Sequence, residues 1–329
     1  MHTPSTVAHV SAIFRYLPIF FTAMTHISFD QQDVLELRGP RASLLVAPQF
    51  GARLLRWVVD GQPVIYWPEH ADWSAPARIR GGNPVLFPFI GRHFVDGELG
   101  AWRDRQGEIR AMPMHGFARD LPFAYQLEDQ AQAVRMSLSD TPQTRAVYPF
   151  GFRFETYYRL DSNALEVEFI THNTGDEPLP YYAGHHFYFA LPAELRADTV
   201  LSLPRNRRQF QSADGSPAPA IHGQEHYRLD DPEIMDRFHV LEESGDVTIQ
   251  TPALGRTITL SLNNGQADSA PWYAVTTWTE RPDADFYCVE PWLGLPDAIH
   301  HGQGLRWIAP GQRERAALRI TVDTTTPKR

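Results

Sequence analysis

The chain has 329 residues, 43% of them hydrophobic, which is ample for a packed core, yet it lacks the ~18 uninterrupted apolar residues of a membrane-spanning helix. A formal net charge of −9 argues against general binding to nucleic acid or to an anionic membrane surface. The one cysteine, Cys288, rules out an intramolecular disulfide, argues against a cysteine-based zinc site and fits a cytoplasmic protein best.

In chain order, "AIFRYLPIFFTAM" (Ala12 to Met24) is apolar but interrupted by Arg15 and Pro18, without the flanks of a signal peptide. We expect residues 1–24 to be an extension outside the fold. "MTHISFDQQDVLEL" then reads as the opening strand of a single domain over 25–325. Leu44 to Ala47 predicts a strand, and "LLRWVVDGQPVIYW" (Leu54 to Trp67) a hairpin bent at Asp60-Gly61. Ala133 to Leu138 is a further strand, followed by a short helical turn near Gln143 to Val147. "FRFETYYRL" (Phe152 to Leu160) alternates Phe152, Phe154, Thr156 and Tyr158 against Arg153, Glu155 and Tyr157. After the three-residue turn "DSN", "ALEVEFITHN" sets Leu165, Val167 and Phe169 opposite Glu166 and Glu168. "DVTIQTPALGRTITLSL" forms another hairpin around Leu254-Gly255. Trp272 to Thr277, Phe286 to Glu290 and Ala317 to Val322 complete the series. Many short strands, turn signals throughout and no linker predict an all-β protein, one large antiparallel β-sandwich.

Within "YYAGHHFYFALP" (Tyr181 to Pro192) two histidines are adjacent. Successive strand side chains point to opposite faces. On one strand, Tyr181, Ala183, His185, Phe187 and Phe189 share an apolar face that reads as core. Tyr182, Gly184, His186, Tyr188 and Ala190 share the other, which could line a cleft. A bulge between the histidines would exchange these roles. Three segments do not alternate: Arg80 to His93, Met112 to Phe123 and Cys288 to Gly304. Such Gly- and Pro-rich loops on a rigid sheet are where binding groups sit.

Four further residues are candidates. Glu290 would share a face with Phe286, Cys288 and Trp292 if its strand continues. A carboxylate there is either paired with an arginine or a general base made more basic by apolar surroundings. His115, before Gly116, is either bonded to backbone or a ligand-binding ring. Arg92 either meets a substrate hydroxyl or pairs with Glu98 or Asp96. Trp292 is either core or a stacking face for a sugar.

In order, "GGNPVLFPFIGR", "HGFARD", "H-F-Y-F", "VEPW-G" and "GLRWIAPGQ" resemble the aldose 1-epimerase (galactose mutarotase) family. The likeness is to its bacterial branch with Gly-Gly-x-Pro and Glu-Pro-Trp motifs, over about Leu35 to Val322. The resemblance implies a galactose mutarotase-like supersandwich with an open sugar cleft and no metal or organic cofactor. It implies His186, from the His-x-x-Phe motif, as catalytic acid and Glu290 as catalytic base. It also implies His115 and Arg92 as sugar-binding residues, with Trp292 beside them. The function implied is interconversion of α and β anomers of a hexose. An acidic neighbour is expected to keep His186 charged while desolvation makes Glu290 basic. The sequence departs from the family at Phe187, where relatives carry proline or a small residue. The aspartate that many relatives use has Asp236 as its nearest candidate.

Other readings stand beside this one. A non-catalytic carbohydrate-binding sandwich would keep Trp292, His115 and Arg92 without needing a Glu–His pair. A hexose-6-phosphate 1-epimerase could meet its phosphate with Arg119, or with Arg205, Arg207 and Arg208, a cluster that otherwise reads as a solvated loop. A metal enzyme would draw on His185, His186, His300 and His301, but adjacent strand histidines diverge. A glycoside hydrolase would need a second carboxylate, which the matched motifs do not offer. The expected partner is a small sugar, with no nucleic acid and no membrane. Oligomeric state is not legible.

Overall fold

Alternation along Ala164–Asn173 organises the largest sheet. Leu165, Val167 and Phe169 are buried, while Glu166 and Glu168 stand part-exposed on the opposite face. The computed structural model describes residues 23–325 except 129–131 and 263–267. It pairs this strand with Phe152–Leu160 on one side and Arg313–Thr324 on the other. On the outer face Arg319 donates to Glu166 at 2.7 Å and Arg315 to Glu168, cross-strand pairs that each add a little to the ladder. The sheet has nine antiparallel strands, from the edge strand Ala124–Glu128 to the edge strand His226–Arg228.

Both long predicted hairpins are present. One turns over residues 161–163; the other joins Asp246–Thr251 to Arg256–Ser261, with Gly255 in the left-handed region at φ 53°. The Leu54–Trp67 hairpin is shorter than expected, because only Gln62–Pro63 pairs back onto Arg53–Val59. The helical turn is Pro142–Val147, begun by a capping box in which Thr141 and Thr144 bond each other's backbone N–H.

A second sheet of eight strands packs on the first. Its central members are Arg237–Leu241, Ala274–Trp278 and Phe286–Trp292, flanked by Gly184–His185, Val85–Leu86 and Tyr188–Ala190. Phe87 stacks on Phe154 at 4.2 Å and His185 on Phe169 at 4.0 Å across the interface, so the inner faces of the two sheets share one core. A five-stranded meander, Ala23–Phe29 through Gln62–Pro63, adds Leu35, Leu37, Leu44, Val46 and Trp57 to that core. Its first strand begins two residues before the expected boundary at 25; the rest of the expected extension, residues 1–22, lies outside the described residues. Among the described residues no helix is long and apolar enough to cross a membrane.

The stretch from Tyr181 to Pro192 is not one continuous strand. It is divided into Leu179–Tyr181, Gly184–His185 and Tyr188–Ala190, with the ladder interrupted at residues 186–187. The predicted faces hold from His185 onward, whereas Tyr182, expected on the cleft face, packs in the core against Phe89 at 4.7 Å. His185, Phe187 and Phe189 follow one another inside the core, at ring separations of 4.8 and 5.8 Å. Phe187, the bulky departure from the family pattern, is therefore absorbed by the core and leaves the other face free.

Candidate active site

Strand register brings the two principal candidates together. Gly184 pairs with Trp292 and Tyr188 with Cys288, so the residue midway, His186, falls opposite Glu290. Both project on the sheet's outer face, and His186 Nδ1 lies 3.4 Å from Glu290 Oε1. Gly184 is required beside them: a Cβ there would stand 2.4 Å from the Trp292 ring. The Phe286–Trp292 strand does continue past Glu290, as that face assignment needed.

Above this floor opens a cleft of about 210 Å³. His186, Glu290, Trp292, Thr276 and Trp278 form its base. Its walls combine the three non-alternating segments (Arg80, Gly91 and Arg92 from the first, Met114 and His115 from the second, Pro296 from the third) with Gln211, Asp236 and Phe238. All five sequence-predicted site residues thus line one cleft.

His115 is bonded to backbone and also lines the cleft. Its backbone N–H donates to the Gly91 carbonyl at 2.9 Å, and its Nδ1 accepts the Gly91 N–H at 3.1 Å. With Nδ1 accepting, the neutral ring carries its proton on Nε2 as a donor. The residue is held at φ 69°, a strained backbone for a non-glycine residue of the kind that collects at functional sites. Arg92 bonds Gln211 Oε1 at 3.2 Å, while the Gln211 amide donates back to the Arg92 carbonyl at 3.1 Å. Asp96, one of its expected partners, is taken by Arg103. Trp292 is mostly core: its indole N–H donates to the His185 carbonyl at 3.1 Å, and a ring edge meets His115.

Burial pushes the Glu290 carboxyl well above its ordinary range, and the charge of Asp236 adds to the shift. The expectation that an acidic neighbour keeps His186 charged is reversed. Burial, reinforced by the cations of Arg119, Arg53 and Arg80, pushes its ring well below the usual value. A neutral imidazole beside a carboxylic acid holds as many protons as an imidazolium beside a carboxylate. The pair thus carries one transferable proton, and 3.4 Å separates its two resting places.

Sequence reasoning missed Asn83, the "x" of Gly-Gly-x-Pro. It is fully buried, and its Oδ1 accepts the His186 backbone N–H at 2.8 Å where the ladder is broken. Its Nδ2 lies 3.1 Å from the Tyr158 hydroxyl and 3.0 Å from His185 Nδ1. One amide side chain thus holds both histidines. Trp278 and Gln211 were also missed, as their segments gave no signal beyond composition, and so was Arg80, although it opens one of the three non-alternating segments. Asp236 lines the cleft too, so a second carboxylate is present, although no matched motif offered one.

The remaining candidates lie elsewhere. His185 is stacked in the core; His300 bonds Asp297 at 2.7 Å, and His301 the Pro296 carbonyl at 2.9 Å. These rings do not converge with His186. Arg205 pairs with Glu242 and Glu243, Arg208 with Glu233, and Arg207 with the Ala220 carbonyl. Arg119 donates to the Met114 carbonyl at 2.7 Å and acts on the histidines through its charge.

Comparison with known proteins agrees with this architecture. Protein LacX (chromosomal) of Lactococcus lactis subsp. lactis is 24% identical over 250 residues, 70% of this chain and 80% of that one. The solved structure of Slr1438 from Synechocystis sp. PCC 6803 superposes with a TM-score of 0.74 at 24% identity, covering 94% of this chain and 100% of that one. A galactose mutarotase related enzyme from Lactobacillus acidophilus gives 0.73 at 22% identity, covering 90% and 99%. The sequence model for aldose 1-epimerase matches residues 33–321, and with that span and this supersandwich the chain belongs to the aldose 1-epimerase family.

Proposed function

We propose that the protein interconverts the α and β anomers of a hexose, with Glu290 and His186 as base and acid. Glu290 takes the proton of the C1 hydroxyl as His186 gives one to the ring oxygen. The bond between C1 and the ring oxygen breaks, its electron pair staying on oxygen, and C1 becomes an aldehyde. Rotation about C1–C2 presents the other carbonyl face, and closure reverses both transfers. The cycle begins when the shared proton passes from Glu290 to His186, and ring opening returns the pair to a carboxylic acid beside a neutral imidazole, the state that burial favours in the free cleft. His115, Arg92 and Trp292 bind the sugar around it. The observation that carries this reading is the His186–Glu290 contact on the cleft floor.

A positioned acid or base contributes roughly 10²–10⁴-fold, which is about 3–5 kcal/mol of barrier. Glu290→Gln and His186→Asn should each lose that much mutarotation, followed by polarimetry or NMR, with unchanged circular dichroism. A variant turning over like the wild type would remove its residue from the mechanism. A sugar-binding protein without catalysis would leave the anomers at their spontaneous rate.

One observation favours a second reading, a hexose 6-phosphate as substrate. The Arg92 guanidinium bonds a neutral amide and has no carboxylate partner among the described residues, so a cation faces the cleft. Comparing glucose and galactose with their 6-phosphates separates the two.

A further inference from the structure

Beside the catalytic pair lies a third group that the acid–base cycle does not use. Cys288 is fully buried, two residues before Glu290 on the same face of its strand. Single ligand atoms from His186, Cys288 and Glu290 all lie within 4.8 Å of one another. Glu290 Oε2 and His186 Nδ1 are buried, and neither has a hydrogen-bond partner among the described residues. Buried polar atoms are rarely left so. Ligands of one tetrahedral ion stand roughly 3.5 Å apart, so a small inward closure of these three side chains would complete three corners. His186 and Glu290 also line the cleft, the side from which an ion would enter. One imidazole, one thiolate and one carboxylate suit Zn²⁺ and its neighbours in softness, not Mg²⁺ or Ca²⁺.

We propose that His186 Nδ1, Cys288 Sγ and the Glu290 carboxylate form an inhibitory site for a zinc-class divalent cation. The ion takes the lone pairs between which the catalytic proton moves, so metal binding and turnover exclude each other. On binding, Cys288 releases its thiol proton and the pair releases its shared proton, both to water. Three metal–ligand bonds form, and nothing is oxidised or reduced. Burial holds the thiol protonated in the metal-free protein, and a dication reverses that balance.

The test uses the full chain freed of metal by a chelator. ZnCl₂ should lower mutarotation more than tenfold, EDTA should restore it, and MgCl₂ should do nothing. CoCl₂ should give a thiolate-to-cobalt charge-transfer band, which reports the site whether or not the protein epimerises sugars. Cys288→Ala should keep basal activity, lose the band and need at least tenfold more zinc for the same inhibition. Cys288→Ser serves if the alanine variant does not fold. Absence of the cobalt band from the wild type, or undiminished zinc inhibition in a folded Cys288 variant, overturns the proposal.

Discussion

Asn83→Ala tests how the cleft is held together. The substitution leaves two buried nitrogens without their partner, the His186 N–H and His185 Nδ1. At ~1–3 kcal/mol for each buried group left unsatisfied, the loss is roughly 2–6 kcal/mol. That is a large share of the ~5–15 kcal/mol by which a domain is stable, so the variant should still fold but melt several degrees lower. Turnover should suffer separately. His186 sits where the ladder is broken, and Asn83 makes the side-chain bond that holds its backbone. Misplacing a catalytic group by ~1 Å can cost ~10²-fold in rate. Thermal unfolding followed by circular dichroism reads the first effect, and polarimetry the second. Asn83→Asp keeps the acceptor for His186 but loses the donor. It should recover turnover relative to alanine without recovering stability. Wild-type turnover in Asn83→Ala, or an aspartate variant as slow as the alanine one, would refute the reasoning.

Glu290→Gln should gain stability over the wild type as pH rises. The native pair holds a proton that the unfolded carboxyl gives up above about 4.5, so relative stability should climb by ~1.4 kcal/mol per pH unit from there in denaturant titrations. Four other buried rings, His93, His115, His185 and His239, are held below their ordinary value by burial, His93 and His239 at about 3. Each must charge on unfolding in acid, so with the opposing contribution of the His186–Glu290 pair the wild type should lose roughly 4 kcal/mol between pH 7.5 and 5.5; a flat profile there would contradict the neutral rings. Replacing Arg205, Arg207 and Arg208 together by alanine should leave KM for a hexose 6-phosphate unchanged, because these side chains bond Glu242, Glu243, Glu233 and the Ala220 carbonyl instead of facing the cleft. Trp278→Ala should raise KM several-fold, since the ring lines the cleft, and lower kcat as well, since its edge meets the His186 ring at 5.6 Å.

Much of this protein was legible in its residues alone, for local reasons. The period-two runs at Phe152 to Leu160 and Ala164 to Asn173 bury one face and expose charges on the other, so strand identity and the turn between them followed directly. The same alternation told His185 from His186, because neighbouring strand side chains cannot share a face. The three Gly- and Pro-rich segments could be named as places where binding groups sit, since they do not alternate, although two of them carry short stretches of strand. What alternation could not supply was register, which depends on pairing between segments a hundred residues apart in sequence. Only the folded sheets set His186 opposite Glu290, hung its backbone on Asn83 and brought Cys288 within reach of both. The electrostatics of the pair belong to the tertiary structure as well. Desolvation and the arginines around the cleft, contributed by distant parts of the chain, reversed the charge expected on His186.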